Sequence, residues 1–168
     1  MLEVLKTRRS IRKYQPEQVS DAHLDAVLEA GIYAPSAMNN QKTVLVAVRD
    51  KQTRDKLSRM NAAVMGTTGD PFYGAPCVIV VLADPEKGTW LEDGSLVMGN
   101  LMNAAEALGL GSCWIHRAQP MFDGPEGKQL LKEWGLPETM KGVANCILGY
   151  PAEKPAPKPR AEGRIVKV

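Results

Sequence analysis

Apolar residues recur along this chain at two spacings, and each spacing predicts a different element. Across residues 20–33 they return every three or four positions, which predicts a helix with Ser20 or Asp21 as its N-cap. Pro35 ends that helix, because proline cannot continue the backbone hydrogen bonds. Residues 77–83 instead form an unbroken, β-branched apolar run, which predicts a strand covered on both faces.

The same criteria predict the remaining elements. Helices are expected at 50–60, 92–108 and 126–134, and strands at 43–48, 112–115 and 143–148. Residues 61–73 hold glycines, threonines and a proline, so they are expected to be loop or only weakly helical. Because strands and helices alternate, we predict an α+β fold, an α/β sandwich in which helices flank one central mixed sheet. The 168 residues are expected to form a single domain.

Residues 151–168 are predicted to form an extended tail. The first ten of them include four prolines with lysines between them, a composition that excludes a helix. Residues 164–168 alternate like an edge strand. We expect such a tail to wrap along the domain or to cross to a partner subunit. The alternative is an unstructured terminus.

Composition narrows the class of protein. Apolar residues make up 44% and charged residues 24%, which is typical of a globular domain, and a formal charge of +2 gives no reason to expect a nucleic-acid surface. The chain shows neither a signal-peptide pattern nor a run of about 20 apolar residues, so we expect a cytoplasmic protein without a membrane contact. Three widely spaced cysteines (Cys77, Cys113 and Cys146) and only two histidines favour buried thiols over a disulfide framework or a metal site.

Two polar segments carry the candidate chemistry. Arg8-Arg9-Ser10-Ile11-Arg12 places three guanidiniums and a hydroxyl within five residues, enough donors to bind a phosphate or another compact anion. If this stretch is helical, Arg8 and Arg12 share a face. Residues 34–41 form a proline-broken loop whose side chains can recognise a heterocycle. Together with the basic run at 154–164 they indicate a phosphorylated cofactor. The alternative for each basic cluster alone is a solvated turn.

These segments and three others resemble the FMN-dependent nitroreductase family. The resemblance rests on Arg8-Arg9-Ser10-Ile11-Arg12, on Ala34-Pro35-Ser36-Ala37-Met38-Asn39-Asn40-Gln41, on Tyr73-Gly74-Ala75-Pro76, on residues 106–115, and on Leu148-Gly149-Tyr150-Pro151 with Lys158-Pro159-Arg160. Their order and spacing agree over nearly the whole chain. The resemblance implies a mixed α/β fold and an intertwined homodimer with two FMN sites at the subunit interface.

The resemblance also implies where the cofactor lies. Arg8, Arg9, Ser10 and Arg12 are expected to contact the flavin's phosphate, ribityl chain and pyrimidine edge. Arg12 is the candidate for the N1/O2 edge, where a fixed cation stabilises the negative charge of reduced flavin. Lys158 and Arg160 are expected to close on the phosphate. Asn61 is a further candidate for the pyrimidine edge.

Two more groups of residues complete the implied site. Pro35, Ser36, Asn39 and Gln41 are expected to come from the partner subunit and to line the flavin ring, and Trp114, Ile115, His116 and Arg117 are expected beneath it. His116 is a candidate proton donor. The alternative is that its backbone faces the flavin while its ring makes a local hydrogen bond.

The implied activity is that of an oxidoreductase. NADH or NADPH docks transiently and reduces FMN, and a small electron-poor acceptor such as a nitroaromatic or a quinone then takes the electrons in a ping-pong cycle. Two alternatives are open. One is a family member specialised for dehydrogenation, dehalogenation or flavin breakdown; the other is a non-catalytic module that binds a phosphorylated ligand.

The chain departs from the family pattern in two places. Lys42-Thr43 follow the 34–41 loop where the family usually has a pair such as Pro-Trp, and the segment between Leu82 and Glu92 is short. The site is therefore expected to be more open than in longer members. Phe72, Tyr73 and Trp90 are each candidates either to contact substrate or to pack.

Overall fold

The computed structural model of the protein describes residues 2–86 and 88–168. Its sheet consists of β1 (Thr43–Val48), β2 (Cys77–Ala83), β3 (Gly111–Ile115) and β4 (Lys141–Gly149). The strands lie in the order β1-β2-β4-β3, and each neighbouring pair is antiparallel. Within the described residues, parallel pairing is limited to an isolated bridge between Ser10 and Ser112, so the sheet is less mixed than predicted.

Helices cover both faces of this sheet. In the described part of the chain they are α1 (Leu2–Thr7), α2 (Asp21–Ile32), α3 (Lys51–Met65), α4 (Trp90–Ala107), α5 (Ala118–Asp123) and α6 (Pro125–Glu133). The apolar faces of α2 and α4 pack on one side, and those of α3, α5 and α6 on the other. The predicted α/β sandwich is thereby confirmed. No helix among the described residues is both long enough and apolar enough to span a membrane.

Strand β2 is the centre of the molecule. All seven of its residues are buried, and alternate side chains enter the two separate cores. Cys77, Ile79 and Val81 pack under α2 and α4, whereas Val78 and Val80 face α3, α5 and α6. The unbroken apolar run in the sequence is explained by this position, because a strand covered on both faces has no polar side to present.

Local signals fix the helix boundaries. The Ser20 side chain accepts from the backbone N–H of His23 at 3.3 Å, so Ser20 is the N-cap of α2. Asp50 caps α3 through the N–H of Thr53 at 2.8 Å, and α3 ends at Gly66, whose φ of 74° is the left-handed conformation that glycine favours. Residues 61–73 were predicted to be loop or only weakly helical, but residues 61–65 belong to the regular helix α3. Helices α1 and α5 were not predicted.

Helix α4 lies unusually close to the sheet at Gly94. A Cβ atom at this position would lie 2.5 Å from the side chain of Val143 on β4. The absence of a side chain at Gly94 therefore lets the helix backbone approach the strand. Since α4 also carries Asp93, this close approach fixes the position of a carboxylate that is important for the neighbouring loop.

Among the described residues, backbone hydrogen bonds join the tail to the rest of the domain only at its start. The Gln15 N–H donates to the Tyr150 carbonyl and the Ala152 N–H to the Lys13 carbonyl, both at 2.9 Å. Beyond this point the tail is largely exposed, and residues 164–168 form no strand in the single chain. Ile165 is 80% exposed. The predicted edge strand is thus absent from the isolated protomer, and crossing to a partner stays a prediction.

The three cysteines are free and buried, as predicted. Burial raises the pKa of the Cys77 thiol to about 11 and also raises the pKa of Cys146. The Cys77 and Cys146 thiols are therefore protonated at neutral pH and do not act as nucleophiles. Within the ranges that the structure covers, no three His, Cys, Asp or Glu side chains gather as a metal site.

Candidate functional site

The basic segment 8–12 lies along β3 and is not helical. Ser10 forms a parallel bridge with Ser112, and the Ile11 N–H donates to the Ser112 carbonyl at 3.0 Å. Ile11 is buried against Gly111, where a Cβ would lie 2.9 Å from its side chain. The condition under which Arg8 and Arg12 would share a helical face is therefore not met. Anchoring at Ile11 instead fixes the backbone from which the arginines project.

Arg8 has a buried donor without an acceptor. Its Nη1 atom is shielded from solvent and forms no hydrogen bond within the described residues, and the same is true of Oγ of Ser112. A buried guanidinium nitrogen without a partner is costly, since it has lost its water without gaining an acceptor. This part of the segment is thus electropositive and short of acceptors.

Arg9 and Arg12 are engaged differently. Nη1 of Arg9 lies 2.8 Å from the Lys6 carbonyl and 3.0 Å from that of Thr7, so it caps the C-terminal end of α1. The Arg12 N–H donates to Oε1 of Glu153 at 2.6 Å. The Arg12 guanidinium lies 5.9 Å from the ring centroid of Tyr73, within the range of a cation–π contact. Arg12 is consequently held at its backbone and at its side chain.

Arg12 and Tyr73 open onto a cleft of about 370 Å³, here called the Arg12 cleft. Its other lining residues are Met65, Thr67, Gly69, Asp70, Pro71, Cys113, Trp114, Ile115, His116 and Arg117. The structure thus brings Arg12 together with the predicted 114–117 segment. Among the described residues, the lining does not include the 34–41 loop.

Asn61 of α3 holds the turn that follows β3 through hydrogen bonds. This side chain is fully buried in α3; its Nδ2 donates to the His116 carbonyl at 2.7 Å and its Oδ1 accepts from Nε of Arg117 at 3.1 Å. Arg117 adopts a left-handed backbone, with φ of 76°. Asn61 therefore contacts the protein's own turn, and its predicted contact with a flavin edge stays a prediction. The His116 side chain is exposed at the cleft.

A second network holds the loop that carries Tyr73. Asp70 accepts hydrogen bonds from Nη2 of Arg54 and the Gly74 N–H, both at 2.7 Å, and from the Phe72 N–H at 3.0 Å. Burial alone would raise the pKa of Asp70, but these bonds, with one from Ser58, lower it below its usual value. Phe72 is fully buried and packs in the core, whereas Tyr73 is 44% exposed at the cleft.

The 34–41 loop is organised by Asp93 of α4. This buried carboxylate accepts from the Ala37 N–H at 2.9 Å and from Nδ2 of Asn40 at 3.1 Å. Within the loop, Oγ of Ser36 accepts from the Gln41 N–H, and Nε2 of Gln41 donates to Oδ1 of Asn39. Positive φ angles of 51°, 53° and 51° occur at Met38, Asn39 and Gln41. The loop is thus a defined shape held from α4, with Pro35 and Asn39 exposed.

Other predicted residues lie apart from the Arg12 cleft. Lys158 and Arg160 are exposed on the tail and form no ion pair or hydrogen bond with the residues that the structure describes. Trp90 is partly buried and packs against the core under α4. In the single chain, the two halves of the predicted phosphate site are therefore not joined.

Sequence reasoning missed three residues that organise the site, namely Glu153, Asp93 and Asp70. Each accepts from backbone N–H groups, which any residue other than proline supplies. The only available signal was local: an Asp followed by Pro, Phe, Tyr and Gly is typical of a side chain that binds its own turn.

Comparison with known proteins finds a matching family and similar solved structures. The family model "Nitroreductase family" matches residues 5–150. A crystal structure of a Bacteroides fragilis nitroreductase with bound FMN superposes with a TM-score of 0.89 at 32% identity, covering 99% of this chain and 97% of that one.

Curated relatives agree with this result. A Methanothermobacter thermautotrophicus protein, whose name pairs NADH dehydrogenase with NAD(P)H nitroreductase, is 35% identical over 92% of this chain and 79% of its own length. The Bacillus subtilis FMN reductase [NAD(P)H] is 29% identical over 95% of this chain and 70% of its own length.

Proposed function

This chain belongs to the nitroreductase family, and we propose that it is a homodimeric, FMN-dependent oxidoreductase. It takes reducing equivalents from NADH or NADPH and passes them to a small electron-poor acceptor, such as a nitroaromatic or a quinone, in a ping-pong cycle. The observation that carries this proposal is the buried Arg8 donor without an acceptor in the segment that leads to the Arg12 cleft.

The residues of the site fit FMN. An arginine donor that lacks an acceptor suits a phosphate, which accepts charge-assisted hydrogen bonds. The unpartnered Ser112 hydroxyl, on the strand bridged to Ser10, offers a further polar contact. The Arg12 cleft, at about 370 Å³, lies within the size range of pockets that bind small molecules.

When bound, FMN would accept a hydride from the nicotinamide and pass the electrons on to the acceptor. The protein's own contribution is electrostatic and positional. Arg12 presents a positive charge at the cleft, where it would stabilise the charge of reduced flavin. The 114–117 turn, fixed by Asn61, supplies a rigid floor. His116 is exposed at the same cleft and is a candidate to donate a proton to the acceptor.

Dimerisation would complete the site. The 34–41 loop has a defined shape yet does not line the Arg12 cleft within the described residues, which supports its insertion into the site of a partner subunit. Helix α1 buries none of its residues, with Leu2 72% and Leu5 52% exposed, and Leu91 and Leu96 of α4 are about half exposed. Apolar side chains of this kind are buried when a second copy packs on them.

The tail has a corresponding role in the proposal. Lys158 and Arg160 would close on the phosphate, either of their own subunit or of the partner. The attachment at Ala152 and Glu153 supports this, because it starts the tail directly beside the 8–12 segment. Three buried free thiols are also consistent with a cytoplasmic location, where cysteines stay reduced.

The proposal is tested on the purified protein. It should be yellow, or become so when FMN is added, and its flavin absorbance should bleach anaerobically with NADH or NADPH. A colourless protein that gains no flavin spectrum in excess FMN would contradict the proposal. Bound flavin that bleaches only slowly with both nucleotides would instead favour a family member specialised for another redox step.

A further inference from the structure

We propose that Tyr73 is a positioning residue for Arg12, and that its ring sets the reduction potential of bound FMN by holding the guanidinium without neutralising it. The inference rests on the proposed function, since the quantity it concerns is a property of the bound flavin. The sequence alone leaves open whether Tyr73 contacts substrate or packs.

The contact itself is the first observation. The Arg12 guanidinium lies 5.9 Å from the Tyr73 ring centroid, and both side chains line the Arg12 cleft. No carboxylate in the described ranges forms an ion pair with Arg12. An aromatic face attracts a cation through its quadrupole and leaves the full positive charge in place, whereas a carboxylate would cancel it.

Neither Asp70 nor Glu153 forms an ion pair with the Arg12 guanidinium. Asp70, which also lines the cleft, binds Arg54, Ser58 and two backbone N–H groups. Glu153 accepts from the Arg12 backbone N–H at 2.6 Å. The result is a cation fixed at its backbone by one acid and at its side chain by a neutral ring. Its charge is available to the cleft.

Tyr73 is itself held in place. Its φ of 53° is left-handed and is followed by Gly74 at 69°, so the chain reverses at this residue. Asp70 fixes the N–H groups on both sides of Tyr73, and Arg54, which is only 7% exposed, fixes Asp70. A non-glycine residue with positive φ is uncommon and is kept only where its surroundings determine it. The loop therefore fixes the backbone from which the ring projects toward Arg12.

Loss of the ring should free Arg12. The side chain is exposed and has several rotatable bonds, so without Tyr73 the guanidinium would move into solvent. A cation–π contact at an exposed site contributes enough to change the population of the held guanidinium roughly two- to fivefold. The ratio of the dissociation constants of oxidised and reduced FMN should fall by that factor in Tyr73→Leu, and the reduction potential should fall accordingly.

The experiment compares Tyr73→Leu with Tyr73→Phe. Leucine and phenylalanine both carry a Cβ in the same left-handed backbone position, so the two variants are matched in strain. The potential of bound FMN is measured by anaerobic dye equilibration, and FMN affinity is measured in parallel. We expect Tyr73→Phe to keep the wild-type potential and Tyr73→Leu to lower it, with little loss of affinity for oxidised FMN.

A double-variant cycle separates positioning from general damage. In an Arg12→Ala background, Tyr73→Leu should change the potential no further. An equal shift in both backgrounds, or an unchanged potential in Tyr73→Leu with FMN bound, would overturn the inference and leave the proposed function intact. A wild-type protein that binds no FMN would overturn both.

Discussion

The side-chain oxygen of Asn61 accepts a hydrogen bond from Nε of Arg117 at 3.1 Å, across 56 residues of sequence. The same amide donates to the His116 carbonyl at 2.7 Å. One buried residue of α3 therefore fixes both the backbone and the side chain of the turn that forms the floor of the Arg12 cleft.

Asn61→Ala should destabilise the protein by about 1–3 kcal/mol, because the buried amide's partners lose their bonds. Urea unfolding measures the change in the free energy of unfolding. Gln52→Ala, an exposed change on the same helix, is the control and should stay within about 0.5 kcal/mol of wild type. A loss at Asn61 no larger than that of the control would show that the turn does not depend on this residue.

Asp93→Asn should loosen the 34–41 loop. In the variant, an NH2 group replaces one acceptor oxygen of Asp93. This donor then faces the Ala37 N–H or the Asn40 amide, so one hydrogen bond is lost. The three loop residues with left-handed backbone angles lose the support of that bond. Faster proteolysis within the loop and weaker FMN binding are expected. Glu92→Gln, an exposed neighbour, is the matched control. An Asp93 variant with the control's cleavage rate would contradict this role.

A mixing experiment tests whether the loop and Arg8 serve one site from two subunits. In a heterodimer of Arg8→Ala and Asp93→Asn chains, one site would receive both defects and the other neither. Refolding the two variants together should therefore restore tight FMN binding to about half of the heterodimer sites. If both residues act in the same subunit, mixing restores none.

Asp70 should make stability depend on acid pH. Its pKa is lowered in the folded protein, so the carboxylate's contribution is full above its unfolded pKa, near 3.8, and is lost as the pH falls through the lower folded value. Asp70→Asn should lower stability at pH 7 and flatten this acid dependence, as measured by urea midpoints between pH 2 and 7. Asp25→Asn, an exposed acid on α2, should leave the profile unchanged.

Arg8 and Arg12 should divide two tasks. Arg8→Ala should weaken FMN binding roughly 10- to 100-fold, the range expected for a lost charge-assisted contact, while affinity for riboflavin, which lacks the phosphate, changes little. Arg12→Ala should lower the flavin's reduction potential more than it weakens binding. Titrations with both flavins and potentiometry measure these effects. If both variants lose only affinity, this division is wrong.

The regular elements were predictable where burial is periodic. Strand β2 is covered on both faces and α4 packs one apolar face, so each carries a pattern in its own residues. Helix α1 has no buried residue and therefore no such pattern. The end of α3 was missed because Asn61 is polar yet buried, a state that depends on partners far along the chain.

The candidate site was predictable as motifs and not as geometry. The arginine segment and the 34–41 loop are continuous in sequence, so their side chains could be recognised. The groups that hold these segments in place could not be recognised. Glu153 binds the Arg12 N–H across 141 residues of sequence, and Asp93 binds the Ala37 N–H across 56 residues. Every residue except proline carries a backbone N–H, so no sequence pattern marks one of them as the partner of a distant acid.

The most direct test of the account is anaerobic reduction of the FMN-loaded protein by NADH and by NADPH, with no acceptor present. The account predicts that at least one nucleotide bleaches the flavin and releases one NAD(P)⁺ per FMN, and that a nitroaromatic or a quinone added afterwards restores the flavin colour. Flavin that is bound but reduced by neither nucleotide would contradict it.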